Sequence, residues 1–84
     1  MFGTGKKYKT VGGWEAIVIW VETQGFPCGL YAIHKPNTDK ESLPIRHDYE
    51  TGKAMVTFAI NEPPTYEASH PADLTTEEVK HDGN

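Results

Sequence analysis

The sequence predicts an all-β fold, a five-stranded antiparallel meander curled into a small barrel or roll and followed by an extended acidic tail. Two observations predict it. Residues 11–21 read as a tight Gly12-Gly13 turn leading into the most apolar run of the chain, with Glu15 its one charge between Trp14 and Val21. Glycine and proline clusters then recur between short runs rich in β-branched and aromatic side chains, the composition of strands rather than helices.

Taken in order, residues 6–11 alternate lysine with Tyr8, Thr10 and Val11, which suits a short edge strand guarded by its charges. Residues 14–22 form the second strand. Gly25 and Pro27 mark a turn, and residues 28–34, with Leu30, Tyr31 and Ile33, form the third strand. Residues 35–42 are polar and make the longest internal loop. Residues 43–48 form a fourth strand near an edge, since Pro44 cannot donate to a ladder. A turn closed by Gly52 leads to a fifth strand over residues 53–60, where Ala54, Val56, Phe58 and Ile60 alternate with Lys53, Met55, Thr57 and Ala59. The β-domain therefore spans residues 1–60. Residues 61–84 form a Pro-rich acidic tail, extended or mobile, in which Thr75 followed by Glu78 fits a capping box for one helical turn near residues 76–80.

Eighty-four residues allow a single domain that buries about 60 to 65% of its unfolded surface. Cys28 is the lone cysteine and cannot staple the chain, which favours a reducing, cytoplasmic setting. No segment approaches a membrane span, and the N-terminus lacks the apolar stretch of a signal peptide. The net charge is −4, and its acidity belongs to the tail. A near-neutral body has no long-range pull on phosphate, so nucleic-acid binding is disfavoured.

If each turn is tight, pairing sorts the side chains onto two apolar faces. One collects Trp14, Ala16, Val18, Trp20, Cys28, Leu30, Ala32, His34, Leu43, Ile45, His47, Val56, Phe58 and Ile60. The other collects Tyr8, Ile17, Ile19, Val21, Tyr31, Ile33, Arg46, Met55 and Thr57. A sheet of this size hides one face, so the second should meet another copy of the chain or the folded-back tail. Ile17, Ile19, Val21 and Ile33 are the expected interface of a homo-oligomer.

Chemistry-bearing residues are few. His47 and Asp48 are neighbours on a strand and point to opposite faces, so they cannot share one proton or one ion. His34 stands about 13 Å from His47 along the strands at ~3.4 Å per residue. Cys28 with His47 is the remaining pair, and two ligands do not make a metal site. Gly3 to Lys7 lacks the upstream glycine and flanking elements of a phosphate loop and reads as a flexible N-terminus. No catalytic residue, metal or cofactor is expected. Tyr31, Arg46 and Met55 should line up across three strands as a platform for a planar or anionic ligand, with His47 nearby.

Tyr8, Thr10, Gly12, Gly13, Ala16 and Val18, the strand at residues 31–34, and then His47, Asp48 and Gly52 together resemble short phage- and prophage-encoded β-rich proteins of uncharacterised function. The likeness covers residues 7–53 and consists of turn chemistry and strand pattern. It implies a compact β-fold and a phage-related setting, and it supplies no catalytic residues. The expectation is a non-enzymatic binding module, oligomeric through a sheet face, that occupies a host protein or sequesters a small ligand. The rivals are a small hydrolase or lyase with an interfacial histidine site and a structural component of a phage particle.

Overall fold

The computed structural model describes residues 2–24, 29–59 and 62–79, and these are all-β without a helix. Their strands are β1 (Lys7–Thr10), β2 (Glu15–Glu22), β3 (Gly29–His34), β4 (Ile45–Asp48), β5 (Thr57–Ala59), β6 (Glu62–Thr65) and β7 (Leu74–Val79). Five of them build one antiparallel sheet in the order β4-β3-β2-β1-β7, curled into a half-barrel, while β5 and β6 pair only with each other. The meander predicted from sequence holds from β1 to β4. The fifth position in the sheet is filled from the other end of the chain.

The first turn is one residue longer than predicted. The Thr10 amide donates to the Trp14 carbonyl at 2.8 Å, so the loop comprises Val11, Gly12 and Gly13, of which Gly13 takes the left-handed backbone at φ 83°. A three-residue hairpin closed by such a glycine follows the twist of its strands. The added residue moves the pairing by one, so Tyr8 faces Ala16 and is buried in the core instead of standing on the outer face with Ile17.

A β-bulge makes the second correction. Ala16, Ile17 and Val18 pair with His34, Ile33 and Ala32, but after the extra residue Ile19 the partners become Trp20 with Tyr31 and Val21 with Leu30. Alternation reverses across the bulge. Trp20, expected inside, is 62% exposed, and Val21, expected at an outer interface, packs against the core.

The third correction concerns residues 53–60. Ala54 makes a single bridge to His47 and Met55 donates its amide to the Arg46 carbonyl at 3.0 Å, after which the chain leaves the sheet to form the β5–β6 arm. The ladder bonds to β4 come from Asp48 to the Lys53 carbonyl and from Met55 to Arg46, so the Ala54 amide points away from β4 and donates to the Asp73 carboxylate at 2.9 Å. Val56 and Leu43, both expected in the core, are exposed, the latter because β4 begins only at Ile45, after Pro44. The Phe58 side chain and all of Ile60, both expected in the core, lie outside the described residues.

Residues 74–79 are a strand and not the start of a helical turn. β7 pairs antiparallel with β1, and the Thr75 hydroxyl, read as a helix cap, donates instead to the Lys9 carbonyl at 2.9 Å. An isolated helical turn has to pay its own nucleation, whereas the edge of β1 presents backbone groups already in line. Lys80 is outside the described residues. The N-terminus also departs from its expected flexibility, because Phe2 is buried and packs edge-on to Tyr8 at 4.9 Å, and the Gly5 amide donates to the Val18 carbonyl at 2.7 Å. Phe2, Tyr8, Ala16, Val18, Leu30, Ala32 and Leu74, with Val21 against them, make the apolar core inside the curl.

Candidate functional site

The bulge builds a cleft on the convex side of the sheet. With Trp20 turned outward, Ile19, Trp20, Glu22, Tyr31, Pro44 and Arg46 line a recess of about 340 Å³. Strand pairing sets Tyr31 between Trp20 and Arg46, one partner on each neighbouring strand. The Arg46 guanidinium carbon lies 5.2 Å from the Tyr31 ring centre, and Nη1 donates to the Tyr31 hydroxyl at 3.0 Å. Beneath it, Gly29 presents no side chain, and a Cβ there would come within 3.0 Å of the guanidinium and 2.8 Å of the His47 carbonyl. The cation thus lies between an aromatic ring and a bare backbone, which with the hydroxyl bond fixes its position.

Of the residues predicted from sequence, Tyr31 and Arg46 meet as expected. Met55 lies opposite Arg46 in register but does not line the recess, and His47 belongs to the other face, where it is fully buried. Ile17 and Ile33 pair across β2 and β3 and are half-buried, while Ile19 is exposed at the edge of the cleft. Trp20, Glu22 and Pro44 were missed as lining residues. Glu22 carried the signal for Trp20: a charged strand end faces water, and the residue two positions before it shares that side.

The concave side holds a second cluster. His34 and His47, separated by about 13 Å of strand in the sequence-based estimate, stack with Nε2 atoms 3.1 Å apart. The register is as counted, with Leu30 opposite His47, yet the two rings meet across the curled sheet. His47 lies between two carbonyls that can only accept, Ile45 O at 2.8 Å from Nδ1 and Ala72 O at 3.1 Å from Nε2, so a neutral ring donates to one of them and a protonated ring to both. His47 Nε2 also lies 3.1 Å from His34 Nε2. His34 Nδ1 is buried without a partner. Burial, then the neighbouring His47 and His70, lower the His34 pKa to about 4. Burial likewise holds His47 below its ordinary value, against the opposing pull of the Ile45 and Ala72 carbonyls and Asp73.

Neither imidazole can reach a substrate, since both side chains are enclosed. Asp48 points away from them: its Oδ1 accepts the amides of Glu50 and Thr51 at 2.8 and 2.9 Å, and its Oδ2 accepts the Tyr66 hydroxyl at 3.1 Å. Burial raises the Asp48 pKa, but these hydrogen bonds outweigh it and leave the carboxyl below its ordinary value. Cys28, the other partner considered for His47, is outside the described residues. Among the described residues no group of three or more His, Cys, Asp or Glu is placed to hold a metal ion, and no helix is long and apolar enough to cross a membrane. No protein-family profile, curated protein or solved structure matches this chain.

Proposed function

We propose that this protein is a non-enzymatic binding module whose working surface is the Trp20–Tyr31–Arg46 cleft, and that it engages a planar or anionic group carried by a small ligand or by a partner protein. The observation that carries this reading is the exposed Trp20 beside a guanidinium held over the Tyr31 ring and bonded to its hydroxyl. Tryptophan, tyrosine and arginine are the side chains that dominate binding energy at protein surfaces, because each offers a large contact area and a polar handle. Ile19 and Pro44 supply apolar walls, and the half-buried Ile17 and Ile33 continue the surface for contact with a second copy. The likeness of residues 7–53 to phage-encoded proteins supports reading the partner as a bacterial host protein.

A dye with the matching chemistry tests the cleft directly. The probe is 1-anilinonaphthalene-8-sulfonate, which joins flat aromatic rings to one anionic group. The folded protein should bind it with one-to-one stoichiometry and enhance its emission. Trp20→Ala and Arg46→Met should each weaken binding about tenfold or more, in line with the loss of an aromatic or cationic anchor worth over ~1 kcal/mol. Retained thermal midpoints would show that folding is intact. Equal binding by all three proteins would sink the assignment.

A further inference from the structure

We infer that the β5–β6 arm of one copy seats its proline pair in the Trp20–Tyr31–Arg46 cleft of another. The inference rests on the reading of that cleft as a binding surface. It names the group that fills the cleft, an extended proline-rich segment, and the molecule that carries it, a second copy of this chain.

The arm is built to present its prolines. Residues 62–67 read EPPTYE, and the two adjacent pyrrolidine rings fix their backbone before any partner arrives, so little conformational freedom is left to lose on docking. Pro63 and Thr65 are exposed and Pro64 is half-buried. Val56, whose amide donates to the Thr65 carbonyl at 2.8 Å, is exposed beside them. The base of the arm is tied to the body: the Tyr66 hydroxyl donates to Asp48 at 3.1 Å, and the Lys53 ammonium donates to the Glu67 and Ala68 carbonyls at 3.2 and 3.1 Å. Among the described residues neither β5 nor β6 pairs with a strand of the five-stranded sheet.

The cleft has the make-up that such a segment fits. Proline-rich stretches dock in grooves lined by aromatic side chains, whose flat faces take the rings. Here Trp20 is exposed, Tyr31 pairs beside it, and Ile19 and Pro44 supply apolar walls. Glu22, the carboxylate of the same recess, stands by register at the end away from Pro44, which leaves the Trp20–Pro44 end apolar. Residues 54–69 contain two acids and no lysine or arginine, so the Arg46 guanidinium attracts an approaching arm. Among the described residues none that lines the cleft belongs to the arm of the same chain, and a second copy supplies one arm for every cleft. Arm and cleft are different patches of one surface. Their contact is therefore heterologous, and it either closes reciprocally between two copies or runs on from copy to copy.

Complementation between two variants of the full chain tests this. The cleft variant, Trp20→Ala, keeps its arm. The arm variant, Pro63→Lys with Pro64→Lys, keeps its cleft; lysine guards the rim against stacking, removes both rings and brings a charge like that of Arg46. In sedimentation velocity the native chain should associate, and each variant alone should do so about tenfold or more weakly. An equimolar mixture of the two should form a complex of two chains, because one intact arm then meets one intact cleft. Association of the arm variant at native strength, a mixture no tighter than its components, or a native chain that stays monomeric would each overturn the inference. Binding of 1-anilinonaphthalene-8-sulfonate separates this from the reading beneath it. If the arm variant binds the dye as the native chain does and Trp20→Ala does not, failed complementation removes the inference and leaves the cleft standing; equal dye binding by both variants removes the cleft and the inference with it. If the arm variant does not fold, a peptide of residues 61–69 decides on the native chain: displacement of the dye supports the inference, and no displacement at millimolar concentration refutes it.

Discussion

Single residues fix the seams of this molecule, and Gly52 is the sharpest case. It sits in the left-handed region at φ 77°, and a Cβ there would come within 2.7 Å of the Phe2 ring and 3.0 Å of the Leu74 Cβ. Gly52→Ala should therefore destabilise the fold by about 2–4 kcal/mol, combining backbone strain with overpacking. Urea unfolding measures it, and a loss below about 0.5 kcal/mol would contradict the packing of the N-terminal segment against this turn. Sequence disclosed that the turn ends in glycine. It did not disclose what leans on that glycine, because Phe2 and Leu74 are 72 positions apart and neither belongs to a pattern that names the other. The Arg46–Tyr31 contact was legible by counting register from a turn that was read correctly. The His34–His47 contact was not, since counting along strands measures backbone distance and ignores curvature.

Among the elements, β2 is where reading and structure part, and the reason is arithmetic. A hairpin loop one residue longer, or one added residue in a strand, alters no composition, yet each turns every later side chain over. Trp20 reports the bulge. In a Trp14→Phe variant held dilute enough to be monomeric, its emission should be that of a hydrated indole and should be strongly quenched by acrylamide. A blue, protected emission would mean that alternation runs unbroken through Ile19. β7 was hidden for a different cause: its run LTTEEV has acidic residues suited to a first helical turn, and only the free edge of β1 decides for a strand. Tertiary context outweighs a weak local preference there, as it commonly does for short segments.

For the whole molecule, the expected outcome is association through the convex face. Sedimentation velocity should show the mean mass rising with concentration. Trp20→Glu, which places a charge amid Ile19, Tyr31 and Pro44, should shift the protein to the monomer without lowering its thermal midpoint. A native chain that stays monomeric at every concentration would remove self-association while leaving the dye test of the cleft standing. The β5–β6 arm has a different bearing on assembly. Among the described residues its strands pair only with each other, and Pro63 and Pro64 stand side by side in β6. Adjacent residues of a strand turn their amides to opposite sides, so a proline pair strips a donor from the rim that would otherwise invite stacking. An exposed hairpin rim is a template on which further chains can stack, and imino acids along it blunt that addition.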